Sequence, residues 1–168
     1  SRRYAWIDPQ TREACVDRML SDLRQAAPED VVLLHGCCHN PTGAGLAEAD
    51  WDAVCDLMIE RRLLPFVDLA YQGFGDGIEP DAYAVRMFAR RVPEMLVAVS
   101  CSKNFSIYRE RTGCAFVLAR DADRAEVALG QLLVAARIGY SMPPDHGASI
   151  VRIILQDPAL EADWRCEV

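Results

Sequence analysis

Three short runs in this chain, at 31–35, 64–68 and 95–100, are almost wholly apolar and end on His35, Asp68 and Ser100. Continuous apolar runs of this length predict strands covered on both faces, as in a parallel sheet. Helical spacing fills the gaps between them. Trp51, Val54, Leu57 and Met58 share one face of a helix predicted over 46–62, and 81–91 predicts another that stops before Pro93. A fourth apolar run, 113–119, predicts a fourth buried strand. Residues 3–7 read as a short strand, and Val16, Met19, Leu20 and Leu23 as a helix. Asp121 can cap a long helix to about Ile138. Residues 147–155 are again helical, and 159–168 form a helix-like run. Strands alternating with helices predict an α/β domain, a mostly parallel sheet flanked by helices.

The chain has 168 residues, enough for one domain with a real core. No apolar run approaches the ~18 residues of a membrane span, and Ser1-Arg2-Arg3 leads into no apolar stretch of the kind a signal peptide needs. The net charge of −7 builds no basic face for nucleic acid. Seven cysteines, an odd number with no CxxC pair, argue against a disulfide framework and for a reducing compartment such as the cytoplasm. The chain lacks an initiator Met and stops inside the helix-like run, which predicts a piece of a longer protein.

In open α/β sheets ligands bind beyond the carboxyl ends of the strands. The unusual polar residues lie there. Asp68 ends an apolar strand, where a partly desolvated carboxylate needs a cationic partner; an arginine or a helix end would serve, as would a cationic ligand. Lys103 is the single lysine among 18 basic residues. Arginine cannot give up its proton and act as a nucleophile, whereas a desolvated lysine can form a Schiff base. A solvated surface lysine is the plainer reading. Tyr71 can be a core aromatic or a phenol donor. Arg111 can be an ordinary surface charge or an anion binder at the same edge as Ser100. Asn40 follows the first strand. His35-Gly36-Cys37-Cys38-His39 offers four nitrogen and sulfur donors in five residues. Structural zinc sites space their cysteines, however, and neighbouring side chains in an extended segment point apart. Cys37 and Cys38 are therefore read as packing residues, with no metal expected.

Four segments taken together, His39-Asn40-Pro41-Thr42-Gly43, Asp68-Leu69-Ala70-Tyr71-Gln72-Gly73, Ser100-Cys101-Ser102-Lys103-Asn104-Phe105 and Arg109-Glu110-Arg111-Thr112-Gly113, resemble the class I aminotransferases, specifically the aspartate and aromatic-amino-acid branch. The likeness extends through 137–147. It implies the large domain of a fold type I pyridoxal-phosphate enzyme, of which 1–168 would be the central part. The small domain and the N-terminal phosphate-binding part would lie outside it. Ser106 and Met142 stand where glycine and asparagine are usual.

The resemblance also implies roles. Lys103 would hold pyridoxal phosphate covalently and relay a proton during catalysis. Asp68 would face the cofactor's pyridine nitrogen, and Tyr71 and Asn40 its phenolic oxygen. Ser100 and Arg111 would bind its phosphate. Asn40 would also line the substrate pocket. Arg137 would reach from a neighbouring subunit to the distal carboxylate of a dicarboxylic substrate, making the enzyme a homodimer. The Asn40–Pro41 bond is expected to be cis. The implied reaction moves an amino group between aspartate or an aromatic amino acid and 2-oxoglutarate, and residues 1–168 alone are expected to be inactive. Competing readings are a decarboxylase or lyase of the same fold, an aminotransferase-like module that senses the cofactor, and an inactive truncated chain.

Overall fold

The computed structural model describes residues 2–168; Ser1, where the expected domain begins, lies outside them. Its elements run α1 (Val16–Leu23), β1 (Val31–His35), α2 (Glu48–Arg61), β2 (Leu64–Leu69), α3 (Tyr83–Arg91), β3 (Met95–Ser100), β4 (Gly113–Leu118), α4 (Ala122–Gly139), α5 (His146–Gln156) and α6 (Pro158–Glu167). The strands form one sheet in the order β1-β2-β3-β4. The first two pairings are parallel and the third antiparallel.

α2 and α3 form because their apolar residues recur at helical spacing and meet the sheet. Trp51, Val54, Leu57 and Met58 of α2 and Met87 and Phe88 of α3 are buried with Leu34, Val67 and Met95 of the strands. Trp51 and Phe88 meet edge to face, with centroids 6.3 Å apart. α1 joins the same layer through Met19 and Leu23. Asp121 caps α4 as expected, its Oδ1 accepting the Arg124 amide N–H at 2.9 Å.

Burial departs from expectation in three places. β1 alternates, with Val32 and Leu34 buried but Val31 56% and Leu33 47% exposed. β4 is exposed rather than buried, with Phe116 54% exposed, and it is the one antiparallel strand of the mostly parallel sheet among the described residues. An apolar run specifies a strand, but what covers its second face is decided by other segments. Residues 3–7 form no strand; only an isolated bridge joins Ile7 to Ala14. That segment is anchored instead by side chains, with Trp6 buried against the core and stacked on His39 at 4.6 Å.

Candidate active site

The parallel register brings the strand ends to one edge. His35 of β1 pairs with Asp68 of β2, and Asp68 with Ala98 of β3. Gly36 donates its N–H to the Asp68 carbonyl at 2.8 Å, which closes the β1 and β2 ends together. Ser100 lies two residues beyond Ala98. Because β4 runs back antiparallel, its first residue, Gly113, pairs with Ser100, and Arg111 arrives at the same edge. A side chain at Gly113 would place its Cβ 2.5 Å from the Val99 carbonyl oxygen, so only glycine permits this approach.

Lys103 and Tyr71 meet at this edge. The Lys103 Nζ sits 4.6 Å from the centroid of the Tyr71 ring. The Ser102 amide donates to Ser100 Oγ at 3.2 Å, and Arg111 Nη1 donates to Ser102 Oγ at 3.4 Å and to the Tyr108 carbonyl at 3.0 Å. Arg111 has a left-handed backbone, φ 54°, which turns its side chain back toward the serines. Among the described residues, none of Asp68, Lys103 and Arg111 takes part in an ion pair. Half-buried Asp68 and Lys103 and exposed Arg111 thus share this edge without forming ion pairs among the described residues.

Asn40 lies on the loop that leaves β1, followed by a cis bond to Pro41, as expected. His35 Nδ1 faces its amide at 3.4 Å, and the His35 and His39 rings are 4.5 Å apart. Burial, then the neighbouring His35, lowers the His39 pKa, which favours the neutral ring bonded to Thr42 Oγ1 at 2.8 Å. Arg137 makes no hydrogen bond or ion pair with these residues among those described. It lies near the C-terminal end of α4, an 18-residue helix, with its side chain exposed.

The structure adds residues that the sequence reading passed over. Ser102 is 4% exposed and links Ser100 to Arg111; its signal was a second serine between Ser100 and Lys103. Trp164 of α6 stacks on Phe105 at 4.4 Å and 10°, and its Nε1 donates to the Asn104 carbonyl at 2.6 Å. It buttresses the Lys103 loop from 60 residues away, which no local pattern announces. Asp81 is 6% exposed and accepts N–H bonds from Gly73, Gly75 and Asp76 at 2.8, 3.0 and 2.9 Å. It thereby fixes the loop that follows Tyr71. A Cβ on Gly75 would come within 2.5 Å of Asp81 Oδ1, so the turn needs glycine there.

Known proteins are similar to this chain in sequence and fold. The family described as aminotransferase class I and II matches residues 1–167. The chain is 50% identical over 165 residues to the aromatic-amino-acid aminotransferase of Paracoccus denitrificans, covering 98% of the chain and 42% of that protein. It is 43% identical over 167 residues to the aspartate aminotransferase of Escherichia coli K12, covering 99% of the chain and 42% of that protein. It thus spans about two fifths of the curated relatives it matches. It also superimposes on an aromatic-amino-acid aminotransferase from Burkholderia pseudomallei covalently bound to pyridoxal phosphate. The TM-score is 0.95 and the identity 44%, over 98% of this chain and 41% of that one.

Proposed function

Because the chain belongs to the class I and II aminotransferases, we propose that the protein is a pyridoxal-phosphate-dependent transaminase for aromatic amino acids and aspartate, with 2-oxoglutarate as acceptor. The residues present fit the cofactor. It is a dianionic phosphate, a protonatable ring nitrogen and an amine-reactive carbonyl, and the strand edge offers the serine–arginine cluster, Asp68 and Lys103, all without counter-ions among the described residues. The observation that carries the reading is the placement of the single lysine over Tyr71, at the end of the sheet where Asp68 emerges.

When bound, pyridoxal phosphate supplies an electron sink conjugated to the substrate's α-carbon. The protein's own groups do the rest. The Asp68 carboxylate holds a proton at the ring nitrogen. The Tyr71 hydroxyl and the Asn40 amide donate to the phenolic oxygen, and Asn40 borders the substrate. Arg111, Ser100 and Ser102 bind phosphate oxygens, with Arg111 supplying the charge-assisted bonds. The Lys103 amine anchors the site covalently at rest. With its amine free, Lys103 would accept the proton released at the substrate's α-carbon. Residues 1–168 would form the central part of the cofactor domain.

Arg137 acts in a neighbouring subunit, in this reading, and the enzyme is a homodimer. α4 rises ~27 Å over its length, and it carries Val127, Leu133 and Val134 each more than half exposed. Such a face suits burial against a second copy. Among the described residues no helix is long and apolar enough to cross a membrane. The free cysteines suit a reducing cytoplasm, and the proposed reaction would serve amino-acid metabolism.

An amino-donor panel with 2-oxoglutarate tests the proposal. Tyrosine, phenylalanine and aspartate should all be donors. Arg137→Leu should lower kcat/KM for aspartate by roughly thirtyfold or more, the ~2–5 kcal/mol lost when a buried carboxylate loses its partner. The loss for phenylalanine should be much smaller. Equal losses for both donors, or full activity in a proven monomer, would contradict the shared site.

A further inference from the structure

The expectation that Cys37 and Cys38 point apart does not hold. Cys38 adopts a left-handed backbone, φ 46°, which breaks the alternation of an extended chain. Both cysteines line one cavity of about 340 Å³ together with Leu46, Trp51, Asp81 and Tyr83. The two sulfurs and an Asp81 carboxylate oxygen all lie within 4.8 Å of one another. Asn40, Asp68, Tyr71, Ser100, Lys103 and Arg111 are absent from its lining.

Asp81 is buried, and among the described residues no basic side chain pairs with it. Its three N–H donors steady the carboxylate but leave its charge uncompensated. Burial first, and then the Asp81 charge, pushes both thiols upward.

We propose that Cys37, Cys38 and Asp81 form a site, separate from the cofactor edge, for a soft divalent cation of the zinc and cadmium class. Tetrahedral coordination at ~2.3 Å for sulfur and ~2.0 Å for oxygen separates neighbouring ligands by about 3.5–3.8 Å. The three atoms need approach by only about 1 Å from their outer separation, with water in the fourth position. Two sulfur ligands select thiophilic ions over calcium and magnesium, which take oxygen shells. Binding balances by proton release: each thiol gives its proton to solvent as its sulfur bonds the metal, two protons per ion. Cys38 stands two residues before Asn40, and Asp81 grips the amides just after Tyr71, so a bound ion would tie together the two loops that carry those side chains.

Cadmium titration of the purified, reduced holoenzyme tests this through the sulfur-to-cadmium absorption band, read against a Cys37→Ser/Cys38→Ser double variant that reports the remaining cysteines. The wild type should take up one more Cd2+ per chain than the double variant. Cys37→Ser or Cys38→Ser alone should weaken that uptake at least about tenfold. Circular dichroism checks each fold, and alanine replaces serine in any variant that fails to fold. Equal cadmium uptake by wild type and double variant would overturn the proposal. The readout is metal uptake and not turnover, so its failure would leave the transaminase reading untouched.

Discussion

Replacing Lys103 with alanine should lower transamination at least about 10⁴-fold if, as proposed, it is both the covalent anchor and the proton acceptor. Lys103→Arg should be almost as inactive. It keeps the positive charge above the Tyr71 ring, but a guanidinium stays protonated and cannot attack a carbonyl. Both variants should keep the far-ultraviolet circular dichroism of the wild type, since Lys103 is only half-buried and joins no ion pair among the described residues. Steady-state rates with tyrosine and 2-oxoglutarate check the prediction. A Lys103→Arg enzyme retaining a tenth of wild-type turnover would show that the amine is not the reacting group.

Asp68→Asn should lower turnover by at least about a hundredfold while leaving the fold intact. The amide matches the carboxylate in shape, and Asp68 holds its place through its backbone carbonyl, which accepts the Gly36 N–H. In the proposed reading the variant loses the charge that would keep a proton on the ring nitrogen, and a partly buried charged pair deprived of one member costs roughly 2–5 kcal/mol. The loss should fall on kcat more than on KM, because a carboxylate that would hold a proton at the cofactor's ring nitrogen would matter more in the transition state than in substrate binding. Near-normal kcat in Asp68→Asn would refute the assignment.

Much of the site was legible because its residues break a local rule. Asp68 and Ser100 end apolar strands, and Lys103 is the single lysine in an arginine-rich chain. Each stands out without knowledge of its neighbours, and the parallel register then carries them to one edge. What was not legible depends on distant segments or on single backbone angles. β4 is as apolar as the buried strands, yet its exposure is set by what lies beside it. Trp6 reaches the core by stacking on His39 and not by strand pairing, which no periodicity reports. Asp81 reads as the start of a helix, but its carboxylate turns back onto Gly73 and Gly75. The convergence of Cys37 and Cys38 depends on one left-handed residue that a polar-apolar pattern does not encode. Trp164 buttresses the lysine loop across 60 residues of chain.

The central claim is that Lys103 carries the cofactor. Borohydride reduction of the holoenzyme, followed by proteolysis and mass mapping, reads this directly. A phosphopyridoxyl group on the peptide containing Ser102-Lys103-Asn104, one per chain, is the result expected. A label on any other residue, or no label on cofactor-loaded protein, would contradict the account.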